Sequence, residues 1–122
     1  LLDTWIAALR SSGWSPGEAA LVGSFTTQLA TLRNLSVAVT AKLARGEGPV
    51  VEAALVKDIG TEFEQTIPAM LEAAIAADPT RPVGPQLHRT VAYLSQISPT
   101  FSLRGGTGEI LGGMIARGLG LR

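Results

Sequence analysis

Hydrophobic residues recur along most of this chain at spacings of three and four, the rhythm of one buried stripe on an α-helix. Between Pro16 and about Arg45 the stripe is Val22, Phe25, Leu29, Leu32, Val39 and Leu43, with Ser36 filling the one gap. Ser15-Pro16-Gly17-Glu18 opens that stretch as a capping box, with proline at the first helical position where its missing N–H does least harm. Gly46 and Gly48 close it. Pro49 restarts the chain, and Val56, Ile59, Phe63, Ile67, Met70 and Ala74 trace a second long helix to about Ala77. Pro68 falls inside that stripe and removes one backbone donor, which predicts a kink or a break there.

Shorter elements flank the two long ones. Leu2 to Arg10 carries Trp5, Ile6 and Leu9 on one side and reads as the end of a helix, stopped by Ser11, Ser12 and Gly13. Residues 78–85 hold three prolines and read as a loop. A shorter helix is predicted from about Gln86 to Gln96, broken by Ser98-Pro99-Thr100-Phe101. A last helix carries Ile110, Leu111, Met114, Ile115 and Leu119. No strand-like alternation, internal repeat or low-complexity tract interrupts this pattern. It predicts one all-α domain, an antiparallel bundle of about four helices.

Composition narrows the function. Ten basic residues balance ten acidic ones, so no long-range field draws nucleic acid or an anionic membrane. Charge is sparse, at 16%, and aromatics are few, which points to a surface partly covered by a partner subunit or by the rest of a larger protein. Leu1 is not a methionine and is already in helical register, as expected of a piece of a longer chain. With no cysteine and one histidine, His88, disulfides, thiolate zinc sites and histidine-rich metal sites are excluded. This is compatible with a cytoplasmic protein. No apolar run approaches the roughly 20 residues a membrane span needs.

The tail holds the candidate chemistry. Thr107 is placed to cap the last helix, and Gly105 and Gly106 let the chain turn tightly before it. Two readings stay open for this corner. It is either a capped turn, or, with Arg104 beside it, an anion site at a helix start. Glu109 suits the helix dipole but would compete with a bound anion. Gly112, Gly113 and Gly118 interrupt the last apolar stripe, each at a cost of roughly 1 kcal/mol relative to alanine, and are expected to let a neighbouring helix approach. Elsewhere, Glu62 and Glu64 point to different helix faces, and Asp58 and Glu62 share one as solvated surface. His88 reads as exposed or capping. Ser24, Thr26 and Thr27 have no base to activate them.

Residues 103–121, LRGGTGEILGGMIARGLGL, resemble the C-terminal signature of acyl-CoA dehydrogenases, in which Gly-Thr-Ser-Glu-Ile opens the last helix and Ile-Ala-Arg and Leu-Gly-Leu follow. Leu43-Ala44-Arg45-Gly46-Glu47 resembles that family's hinge, so the likeness covers nearly the whole chain. The resemblance implies the C-terminal four-helix bundle of a flavoprotein whose helical N-terminal and β middle domains are absent here. It implies FAD as cofactor, an acyl-CoA substrate for the parent, and homo- or hetero-oligomers packed through the bundles. The cofactor-side segment would be Arg104, Gly105, Gly106, Thr107 and Glu109, with Gly108 in place of the family's serine. Gly105 stands where many members carry the catalytic glutamate, so no catalytic residue is assigned to this chain. The family's Gln-x-x-Gly-Gly-x-Gly-Tyr segment has no counterpart near residues 78–85. The competing expectation is a free-standing helical interaction or oligomerisation module without a cofactor.

Overall fold

The computed structural model describes residues 1–121, and among them every regular element is helical. The helices are α1 (Leu2–Ser12), α2 (Pro16–Ala44), α3 (Val50–Ala77), α4 (Pro85–Ile97) and α5 (Gly108–Gly118). A 3₁₀ segment, Ser98–Leu103, joins α4 to α5, so the Ser-Pro-Thr-Phe stretch tightens the helix into a new turn.

Helix α3 is the hub, touching α2, α4, the 3₁₀ segment and α5. Side-chain pairs fix the directions. Lys42 of α2 pairs with Glu52, and the Phe25 and Phe63 rings meet at 5.9 Å. Past the far end, Glu18 pairs with Arg81, so α2 and α3 run antiparallel. On another side, α4 starts beside the end of α3 and finishes where the Gln65 side-chain amide donates to the Ser98 carbonyl at 3.1 Å. α5 continues the same antiparallel course, with Gly108 beside Asp58 and Gly118 beside Val51.

The main core cluster lies in one half of the molecule, and the other half buries only Ala54 of α3 and Leu111 of α5 among its described hydrophobic residues. Trp5 and Leu9 of α1 join Phe25, Phe63, Leu71, Leu87 and Val91, with Leu71 fully buried. The Trp5 ring meets Phe25 edge-on at 6.4 Å, a favoured aromatic geometry. Beyond Phe25 the α2 stripe loses this cover: Leu29 and Leu43 stand exposed, Leu32 and Val39 are half-buried, and Val37 beside the stripe is exposed as well. The periodicity located a helix there. It did not locate a neighbour for it.

Capping follows the sequence closely. The Ser15 N–H donates to Glu18 Oε2 at 2.8 Å, and the Glu18 N–H donates to Ser15 Oγ at 3.2 Å. The same carboxylate, largely buried, accepts from Arg81 at 2.6 and 2.7 Å and ties the 78–85 loop to the head of α2. Pro68 corrects the expectation of a break, because α3 runs through it without interruption. The proline is buried against the core, and that packing offsets the roughly 3 kcal/mol an interior proline costs.

Candidate functional site

The corner ahead of α5 is built by backbone conformation. Gly105 and Gly106 adopt φ values of +77° and +110°, a region that side-chain-bearing residues rarely enter. Thr107 follows in extended conformation, and its hydroxyl oxygen accepts from the Ile110 N–H at 3.5 Å, a long capping bond. The corner presses on its neighbours. A methyl at Gly106 would lie 3.3 Å from Leu111 Cδ2, and one at Gly105 would lie 3.4 Å from Lys57 Cε. It nevertheless stands at the surface, with Gly105, Gly108 and Glu109 exposed.

Two carboxylates occupy the positive end of α5. The Thr107 side chain, and next a backbone N–H, hold the Glu109 carboxyl below its usual range. Asp58 is the second, its Oδ1 3.8 Å from the place a Gly108 Cβ would take. With the Ile110 N–H capped by Thr107, the donors and dipole that would attract an anion are largely answered from within the chain.

Arg104 turns away from this corner. Its guanidinium lies 3.5 Å from Glu64 Oε2 and 5.1 Å from the centroid of the Phe101 ring. There it borders two adjoining clefts, of about 460 and 610 Å³, that share Leu29, Glu64, Ile67 and Arg104. The structure therefore brings Gly105, Gly106, Thr107 and Glu109 together and places Arg104 in a groove between α2 and the 3₁₀ segment.

The residues present do not make a phosphate site for FAD, because Asp58 and Glu109 crowd the helix start while both nearby cations are engaged elsewhere, Arg104 with Glu64 and Lys57 with the Thr61 hydroxyl. Gly105 offers no proton acceptor either. Among the described residues no group of three or more His, Asp or Glu is placed to hold a metal, and no helix is long and apolar enough to cross a membrane. Thr26 and Thr27 donate back to the Val22 and Gly23 carbonyls at 2.8 and 2.9 Å, as ordinary exposed helix hydroxyls do. His88 is exposed on α4.

Sequence reasoning missed Asp58, Lys57 and Glu64 as neighbours of the corner. All three come from α3, some fifty residues earlier, and only the pairing of α3 with α5 brings them in. Gly118 alone among the interior glycines of α5 admits a neighbour, since a Cβ there would overlap the Val51 Cγ2 methyl. Gly112 and Gly113 face open space, so within the chain only Gly118 meets a neighbouring helix.

No family model, no curated protein and no solved structure matches this chain.

Proposed function

We propose that this chain is the C-terminal helical bundle of an acyl-CoA dehydrogenase-like flavoprotein, where it walls one side of the FAD site and carries the oligomer contact. The observation supporting this is the surface-standing Gly105-Gly106-Thr107 corner at the head of α5, laid along a long α2–α3 hairpin in the order the resemblance requires. FAD, when bound in such an enzyme, accepts the hydride. The residues here contribute shape. Gly105 and Gly106 leave backbone free of side chains for close approach, and the Thr107 hydroxyl lies beside them. Phosphate binding falls to other domains in this reading, since Asp58 and Glu109 oppose it here, and so does the catalytic base.

The test has two parts. Titrating the 122-residue chain with FAD, followed by flavin fluorescence, is expected to show no saturable binding. The gene is expected to encode a helical and a β domain ahead of Leu1, and the chain joined to them should retain flavin. Stoichiometric FAD binding with acyl-CoA turnover by the 122 residues alone would overturn the division of labour. A gene lacking those domains would overturn the reading itself. One observation favours the second reading, a helical interaction module without cofactor: the exposed apolar residues of the thinly packed half need no flavin to explain them.

A further inference from the structure

The end of α3 is a negative pole that the chain itself leaves unanswered. Helices α1, α2 and α5 each carry a basic residue in the last turn, Arg10, Lys42 and Arg117, whereas α3 carries none and closes on Asp78. The backbone does not compensate. Pro79 and Pro82 have no N–H to give, the Thr80 N–H donates to Asp78 Oδ1 at 3.2 Å, and the Arg81 N–H donates to the Asp78 carbonyl at 3.2 Å. The last carbonyls of a 28-residue helix are thus left without a cap, at the end where a helix favours a cation.

A cleft of about 530 Å³ opens at this pole, between α3 and α4. That volume falls within the roughly 300–1,000 Å³ of small-molecule sites. Ile75, Val83 and the buried Val91 give it an apolar lining, and its polar groups are Glu72, Asp78, Arg81 and His88. Among the described residues neither the Glu72 carboxylate nor the His88 ring takes part in an ion pair. Arg81 does, with Glu18 at 2.6 Å and with Asp78 at 3.5 Å. Three carboxylates therefore stand against one guanidinium. The Thr80 hydroxyl, foremost, holds the Asp78 carboxyl below its ordinary range, so this charge persists at neutral pH.

We propose that this cleft binds a small organic cation, a protonated primary amine on an apolar body. The ammonium would sit against Glu72 and Asp78 at the open end of α3, and the body would lie on Ile75, Val83 and Val91. The neutral His88 ring, on the opposite wall, offers a further acceptor. An organic amine suits the cleft better than a metal ion, since no group of three or more His, Asp or Glu is placed to hold one among the described residues. Glu72 lies about 21 Å along α3 from Asp58. The cleft is therefore separate from the glycine-threonine corner, and the inference goes beyond the flavin reading and does not depend on it.

The probe is phenethylamine, titrated at neutral pH into the isotope-labelled 122-residue chain and followed by amide chemical shifts. Saturable shifts centred on Ile75, Val83 and Val91 are expected, with a dissociation constant of about 1 mM or tighter. Hydrocinnamate, an anion with the same ring, and neutral phenethyl alcohol should each bind at least about 10-fold more weakly. Glu72→Gln, at an exposed position that leaves the fold intact, should weaken the amine about 10-fold. Glu64→Gln, in the groove beside Arg104, should leave it unchanged. Absence of saturable shifts overturns the inference, as do shifts centred on the Arg104 groove. Equal binding of the alcohol or the anion, or an unchanged affinity in Glu72→Gln, overturns it too.

Discussion

Glu18 does more than cap a helix. Burial pushes its pKa up, but the Ser15 hydrogen bonds and the Arg81 guanidinium outweigh burial and leave the carboxyl below the ordinary glutamate range. As pH falls, the unfolded chain takes up this proton first. The stabilisation is therefore whole above the ordinary glutamate range and drains away as pH drops through the lower folded value. Thermal melts from neutral into acid pH should show this loss. Arg81→Ala should remove about 1–2 kcal/mol at neutral pH, between the values for exposed and buried pairs because Arg81 is half-buried, and flatten the acid limb. At the other end of the chain, Gly112→Ala and Gly113→Ala face open space and should each gain roughly 1 kcal/mol from helix propensity. Gly118→Ala should instead cost about 1–3 kcal/mol, because the new methyl drives into the stiff β-branched Val51. Denaturant unfolding of the three variants distinguishes these signs.

Among the elements, every helix and nearly every boundary was legible in the sequence, because three-four spacing and caps such as Ser15 and Thr107 are local signals. Pro68 announced a kink or a break, and of the two the structure excludes the break. Its cost is local, whereas the packing that offsets it comes from elsewhere in the fold. The candidate site was legible only as far as its own corner. Gly105 to Glu109 announce a capped helix start, but Asp58 reaches it through tertiary pairing, and no spacing rule in α3 points fifty residues ahead. Stability should differ along the long helices too. Amide hydrogen exchange should be slowest near Phe63, Leu71 and Val91 and fastest in residues 34–44. Uniform protection along α2 would contradict a main core cluster lying in one half.

Taken whole, the molecule pairs a closed half, where α1, α2, α3 and α4 share one core, with an open half that buries few large side chains. The glycine-threonine corner lies on the flank of the open half.

The placement of Trp5, Trp14 and Tyr93 has a practical consequence for optical work on this protein. Trp5 is sealed against Phe25, Trp14 stands in the turn between α1 and α2, and Tyr93 lies on α4. Every strong intrinsic chromophore thus sits at one pole, and the opposite pole emits nothing of its own. Emission melts will report a single pole, while the far-ultraviolet signal averages both. Any gap between the two curves becomes a direct reading of how independently the silent pole comes apart.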